Sequence, residues 1–193
     1  MSNSESSGAT LSRRALLGVA AAGVVAATST PMFGASPALL KGRGSFRSLK
    51  LVNNRTGERL NTAYWVEGHY IPEALEAFYH LLRDWRQEEV VRIDTKTIDI
   101  LAAVYNLVDT SEPLEIVSGY RSPKTNAMLR SRSRGVARNS YHTRGKAVDM
   151  TLKSRSVSQM ARAALSLRAG GVGRYTRSKF VHVDSGPIRD WGR

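Results

Sequence analysis

The chain has 193 residues, no cysteine, and 29 Lys and Arg against 16 Asp and Glu, a formal net charge of +13. Disulfides and a lipid anchor on cysteine are therefore excluded, and a hydrophobic core, alone or with a bound metal, must hold the fold. The basic excess points to an anionic partner: nucleic acid for a protein kept in the cell, an anionic envelope polymer for one that is exported.

Residues 1–14 are polar and end in Ser12-Arg13-Arg14, and an apolar run follows from Ala15 to Ala27. That run is too short to span a bilayer as a permanent helix. Small residues and proline around Gly34-Ala35-Ser36-Pro37-Ala38 suit signal cleavage, which places the mature start between residues 35 and 41. Paired arginines before a mildly apolar Ala/Gly-rich run are similar to a twin-arginine export signal; an ordinary secretory signal with a basic flank is the alternative. Two segments are expected: a signal peptide over 1–40 and one domain over 41–193. Export puts the protein in the periplasm or cell envelope, without a permanent membrane span, and argues against nucleic acid as partner.

Phe46 to Asn53 alternates apolar and polar residues and predicts a strand, Asn54-Arg55-Thr56-Gly57 a turn, and Leu60 to Val66 the returning strand of a hairpin. Pro72 suits the first position of a helix whose apolar face is Leu75, Phe78, Tyr79, Leu82 and Trp85. Asp94 or Thr95 caps a second helix carrying Ile98, Leu101, Val104, Tyr105 and Val108, which ends before Pro113. Leu114 to Ser118 is a short strand, Ser122-Pro123 opens a helix through Leu129, and the polar stretch from Arg130 to Asn139, with four arginines, predicts a loop. Ser140 to Gly145 is a loop entering a strand from Lys146 to Leu152. Ser156 or Ser158 caps a helix ended by Gly170-Gly171, and Val172 to Tyr175 with Phe180 to Asp184 form the last strand pair. This is an α+β chain: a small, mainly antiparallel sheet with flanking helices.

The chemistry concentrates in Ser140, His142, Gly145 and Asp149, followed by His182 and Asp184. Side chains alternate along a strand, so Val148, Met150 and Leu152 face a core while Asp149 faces away from it. Val181 and Val183 likewise turn inward, and His182 and Asp184 outward. Two neighbouring strands then present Asp149 and His182 side by side, with His142 brought over them by a bend at Gly145. Two histidines and one aspartate are ligand types of a catalytic zinc with an open position for water. Tyr120, Tyr141 and Tyr175 belong either to the cleft or to core packing, and His69 and His80 to structure or solvent.

The pattern Ser140-x-His142-x-x-Gly145-x-Ala147-x-Asp149, with the later His182, resembles the metal-binding signature of the D-alanyl-D-alanine metallopeptidases. Their fold is shared with lysostaphin-type enzymes and the hedgehog domain. Ser118-Gly119-Tyr120-Arg121-Ser122 resembles the segment upstream of the first ligand. Phe180 to Gly186, with Arg189 and Trp191, resembles a branch of murein endopeptidases with twin-arginine signals. The resemblance covers roughly residues 46–193 and implies Zn2+ held by His142, Asp149 and His182. It also implies Arg121 as the group that binds the substrate's carbonyl oxygen or carboxylate. The expected partner is peptidoglycan peptide and the expected activity is hydrolysis of its crosslinks. Alternatives are a D,D- or L,D-carboxypeptidase on the same peptides, or a non-catalytic, zinc-stabilised wall-binding module. Many family members place a glutamate base three residues before the last histidine; here that residue is Lys179. Asp184, two residues past His182 on the same strand face, is the expected substitute.

Overall fold

The computed structural model describes residues 45–133 and 135–192. The expected signal segment, 1–40, lies outside them. Four α-helices and one eight-stranded sheet make up the described fold, with the strands in the spatial order β3-β2-β1-β4-β5-β7-β6-β8.

Strand β1 (Phe46–Asn53) pairs antiparallel with β2 (Arg59–Val66) across the predicted turn. A two-residue strand, β3 (His69–Tyr70), folds back on β2. Its turn, Glu67-Gly68, has positive φ at both residues, 45° and 93°, as a tight hairpin of two turn residues requires. Helix α1 (Pro72–Leu81) begins at its proline, and α2 (Thr95–Leu107) is capped by Asp94, whose carboxylate accepts from the Lys96 amide. Strand β4 (Leu114–Ser118) joins the sheet parallel to β1. Helix α3 (Pro123–Arg132) is capped by Ser122 and runs three residues past the predicted end. Arg130 and Arg132 in its last turn favour the negative end of the helix, where a charge-rich segment had suggested loop.

Strand β5 (Ala147–Thr151) is antiparallel to both β4 and β7 (Phe180–Asp184). Between β5 and β7 come α4 (Val157–Ser166), which has a full Ser156/Gln159 capping box, and β6 (Gly171–Tyr175). The left-handed residue after α4 is Arg168, at φ 46°, in place of the expected glycine. A last strand, β8 (Arg189–Gly192), pairs parallel with β6. The sheet is thus mainly antiparallel as expected, but it is larger and mixed: β3 and β8 extend it at its two edges, and the β1–β4 and β6–β8 pairs run parallel. No helix among the described residues is long and apolar enough to cross a membrane.

Helices α1, α2 and α4 pack on one face of this sheet. Leu49, Leu51, Tyr64, Ile116, Val148, Met150, Val181 and Val183 meet Leu75, Phe78, Ile98, Leu101, Val104, Met160 and Ala164 there in a single core. Within it, Asp99 of α2 is fully buried and accepts from the Tyr64 hydroxyl at 2.9 Å and the Tyr70 hydroxyl at 2.6 Å, with Arg47 3.6 Å away. Burial raises this carboxyl, and the three partners work against that rise. The cluster pins α2 to β1, β2 and β3. On the opposite face of β5 the 140–145 segment packs, and there the functional side chains gather.

Candidate metal centre

Asp149 and His182 are direct cross-strand partners in the β5–β7 pairing, flanked by Val148↔Val183 and Met150↔Val181. The apolar pairs face the helices, so the polar pair must face the other way. His142 lies in a 3-10 turn, Tyr141–Arg144, rather than an open loop. Ser140 caps that turn by accepting from the His142 amide, and Gly145 ends it at φ 64°. A side chain at Gly145 would run into the Arg92 carbonyl, 2.5 Å from the Cβ position, so only glycine lets the turn enter β5 here.

One ligand atom from each of His142, Asp149 and His182 lies within 4.8 Å of the others, and all three residues are buried. His142 Nδ1 is 2.7 Å from the Gly119 carbonyl, which fixes it as the N–H donor and leaves Nε2 as a bare lone pair. His182 Nε2 is 3.0 Å from Asp184 Oδ2, which fixes the other tautomer and bares Nδ1. These two bare nitrogens face each other at 3.1 Å, and Asp149 Oδ1 stands 3.2 Å from the first and 2.9 Å from the second. Two lone pairs and a carboxylate oxygen converging in a buried space repel one another unless a cation or proton sits among them. The donor set of two imidazoles and one carboxylate oxygen fits a divalent metal with an open coordination position.

The second oxygen of Asp149 accepts from Arg121 Nη2, and Arg121 Nε donates to Ser118 Oγ at 2.8 Å. Burial by itself would raise the Asp149 carboxyl. The histidines and Arg121 outweigh it and hold the group well below the usual carboxylate range. Burial pushes His142 down, keeping it neutral and able to ligate.

Asp184 is placed differently from the expectation that it takes a proton from a water on the metal. It is fully buried, and its two oxygens are taken by His182 Nε2, by Arg189 Nη2 at 2.6 Å and Nη1 at 3.0 Å, and by the Gly186 amide at 2.9 Å. It therefore stands on the far side of the imidazole from Nδ1. Strand alternation correctly put it on the face of His182, but alternation does not say which ring nitrogen it meets. Burial raises this carboxyl too, but His182 and Arg189 win and keep it ionised.

Lys179 is exposed, at φ 58°, in the turn between β6 and β7; Ser178 and Phe180 line the cleft and Lys179 does not. The cleft, about 690 Å³, is lined by Tyr175, Phe180 and Trp191 and by residues 135–137 and 139–141. Tyr141 and Tyr175 thus belong to the cleft, whereas Tyr120 is buried and donates to Glu89 at 2.7 Å. His69 and His80 are both exposed and far from this chemistry in the fold. Arg189, part of the quoted ending but given no role from sequence, packs between the rings of Tyr141 and Trp191.

A segment without any site residue holds these pieces together. Leu82 accepts from the Tyr120 amide at 2.7 Å, and buried Asp84 accepts from the Ser122 amide at 2.9 Å, which positions the strap bearing Gly119 and Arg121. Further along the same segment, the Asp94 amide donates to the Gly145 carbonyl, and the Asp94 carboxylate accepts from Ser185 Oγ at 2.9 Å.

Comparison with known proteins gives the following. The model of the family described as Peptidoglycan L,D-endopeptidase MepK matches residues 42–191. The chain is 46% identical over 145 residues to the peptidoglycan L,D-endopeptidase MepK of Escherichia coli (strain K12), covering 75% of this chain and 80% of that protein. The same identity and coverage hold for the protein of that name from Shigella flexneri. A probable peptidoglycan L,D-endopeptidase MepK of Haemophilus influenzae is 40% identical over 146 residues, 75% of this chain and 78% of the relative.

The convergence of lone pairs predicts stoichiometric metal binding. Metal analysis of the purified protein should find one divalent ion per chain, and His142→Ala with His182→Ala should lose it. Full occupancy in the double variant would place the metal elsewhere.

Proposed function

This chain belongs to the peptidoglycan L,D-endopeptidase MepK family, and from that premise we propose the chemical role of each residue in its cleft. The protein is a peptidase that acts on peptidoglycan, as a murein endopeptidase. The observation that carries the residue assignment is the convergence of His142 Nε2, Asp149 Oδ1 and His182 Nδ1. We assign the metal as zinc, because two imidazoles and a carboxylate oxygen are a frequent catalytic zinc set. When bound, the metal supplies the Lewis acidity that polarises the scissile carbonyl and acidifies a water molecule.

The remaining steps belong to the chain. Gly119 and Asp184 keep the two imidazoles in opposite tautomers with their free nitrogens aimed at one point. Arg121 lines the cleft, donates Nη2 to Asp149 and Nε to Ser118, and turns its remaining N–H groups to the carbonyl oxygen that becomes negative as water adds to the carbon. The C–N bond then breaks, the water's oxygen staying on the carbonyl carbon and the proton it gives up leaving on the amine. Trp191, 5.2 Å from the His182 ring, and the stacked pair Tyr175–Phe180 exclude bulk water from one side, which strengthens these charge interactions. Endopeptidase action is favoured over the carboxypeptidase alternative by the names of the relatives, and the same names weigh against a wall-binding module without turnover.

We also assign residues 1–40 as a twin-arginine-type signal that delivers the folded domain to the periplasm. The family match, which begins at residue 42, supports that boundary.

Incubating the mature protein with isolated muropeptides should release cleaved peptides, a chelator should stop the reaction, and added zinc should restore it. Unimpaired turnover in chelator would overturn the metallopeptidase assignment.

Asp184→Asn separates a proton-accepting role from an orienting one. Loss of the outer partner of a ligating imidazole costs roughly 10- to 100-fold in metal affinity. Turnover at limiting zinc should fall by that order and recover largely in excess zinc. A variant that is fully metal-loaded yet a hundredfold slow would make Asp184 the base after all.

Export should depend on Arg13 and Arg14. Replacing both by Lys keeps the charge and should leave unprocessed precursor in the cytoplasm; mature protein accumulating normally in the envelope would identify an ordinary secretory signal.

A further inference from the structure

We propose that Arg189 is a specificity-determining residue: one fork of its guanidinium holds Asp184, and the other, Nε–H with the outer Nη2–H, takes a free carboxylate of the peptide being cut. The proposal rests on peptidoglycan peptide as the substrate and adds a contact to it outside the donor cluster.

The donors can be followed one by one. A guanidinium carries five N–H donors in one plane. At its end, Nη1 donates to Asp184 Oδ1 at 3.0 Å and Nη2 to Asp184 Oδ2 at 2.6 Å. Nη1 also donates to the Pro187 carbonyl at 3.0 Å. The Nε–H and the second Nη2–H are left, and neither has an acceptor among the described residues. They lie parallel along one edge of the plane and form a second fork that matches the two oxygens of a carboxylate.

The surroundings leave that edge to the cleft. Arg189 packs on the rings of Tyr141, 5.0 Å to the centroid, and Trp191, 4.9 Å to the centroid. Its end meets the fully buried Asp184. On the Nη1 side it meets Pro187 and the backbone of Gly171, where a side chain would run into Nη1 and Asp184 alike. Even so, the Arg189 side chain keeps 37% exposure, and it lines the cleft together with both rings. The polar edge that remains to face the cleft is the one with the unused fork.

The fork is also held in place. Asp184 is fixed by His182 Nε2 and the Gly186 amide, and it fixes the guanidinium in turn. A donor pair that is already immobile loses little freedom when a ligand arrives. Asp184 offsets the charge of Arg189, so recognition comes from two aligned donors more than from a free cation. Asp149, the other carboxylate at the cleft, is committed to the donor cluster and Arg121 and does not compete. Trp191 stands 5.2 Å from the His182 ring, which puts the fork on the Trp191 side of that imidazole. Only the imidazole of His182 and the carboxylate of Asp184 separate it from the cluster, so the carboxylate it takes belongs to a residue beside the scissile bond. Peptidoglycan peptides carry free carboxylates next to their amide links, and a fork of this kind reads them.

The test crosses a variant with a change in the substrate. Arg189→Lys keeps a cation that can pair with Asp184 but offers no second fork. Trp191→Leu keeps the Asp184 pair and uncovers one face of the guanidinium. Kinetics and equilibrium binding are measured in excess zinc on soluble muropeptides and on the same muropeptides with their carboxylates amidated. Amidation should cost the wild type about tenfold or more in kcat/KM, chiefly through KM. Arg189→Lys should lose about as much on the free substrate and be nearly indifferent to amidation, and Trp191→Leu should lose part of the preference. Zinc affinity of Arg189→Lys, read by chelator competition, should change far less than KM does. A wild type indifferent to amidation would overturn the proposal. So would a preference retained in full by both variants, which would make another group the reader. An equal loss on both substrates together with weakened zinc binding would reduce Arg189 to a support for Asp184 and overturn it as well. A wild type that binds the free-carboxylate muropeptide in preference, loses that preference in Arg189→Lys and cleaves neither substrate would support the fork and overturn the catalytic assignment.

Discussion

The register between β5 and β7 is the constraint on which the rest of the site depends. Asp149 faces His182 only because Val148 faces Val183 and Met150 faces Val181. A slip of one residue would turn Asp149 and His182 into the helix-packed core and the four apolar side chains out of it. Each of those side chains is fully buried, and exposing one costs about 1.5–3 kcal/mol. The slip therefore costs on the order of 6–12 kcal/mol, comparable with the whole stability of a domain. Core packing and the facing of Asp149 and His182 are thus set by the same pairing, and no separate device is needed to align the two side chains.

The alignment of His142 is less direct. Its ring is oriented by the Gly119 carbonyl, in a strap whose amides are held by Leu82 and Asp84. Gly119 has no room for a side chain against Leu82, so the strap approaches α1's end as closely as backbone allows. The Tyr141–Arg144 turn is fixed at its other end by Asp94 through Gly145. The 82–94 segment sets the distance between His142 and the sheet that bears Asp149 and His182.

Most of this architecture was legible in the sequence where a local rule applied. β1, β4 and β7 follow from their apolar pattern with the bounds seen in the structure, α2 and α4 from caps and an apolar stripe, and α1 from its opening proline, although α1 ends at Leu81, short of the Trp85 that the stripe had included. Strand parity puts Asp149 and His182 on one face, and the bend at Gly145 brings His142 over them. What escaped prediction depends on distant partners. β3 has two residues and β8 has four, and each exists only because an edge of the sheet is there to receive it. Asp99 interrupts an otherwise apolar helix face, and its tolerance comes from two tyrosines on another element. The role of Asp184 escaped for a finer reason. Parity gives a face of the sheet, but the choice between proton acceptor and imidazole partner depends on a ring rotation and on Arg189, five residues away on β8.

That choice also bears on how charge is distributed around the substrate. A carboxylate three residues before His182 would occupy position 179, which has the opposite parity to the cleft-lining Ser178 and Phe180 and lies in a left-handed turn. The arrangement of this turn gives such a carboxylate no direct path to the ligands. Asp149 is the one carboxylate among the cleft-lining described residues, and one of its oxygens is already bound to Arg121. Asp184 is closed off behind His182 by Arg189. Asp149 is thus committed to the donor cluster and Asp184 to the His182 imidazole, each balanced by an arginine, and the charged groups left facing the cleft are the guanidiniums of Arg121 and Arg189. A scissile carbonyl gains negative charge on the way to its transition state, so a cationic cleft favours that state over the neutral ground state. The same sign of charge attracts a carboxylate-bearing polymer from a distance, and the +13 excess of the chain acts in that direction at long range.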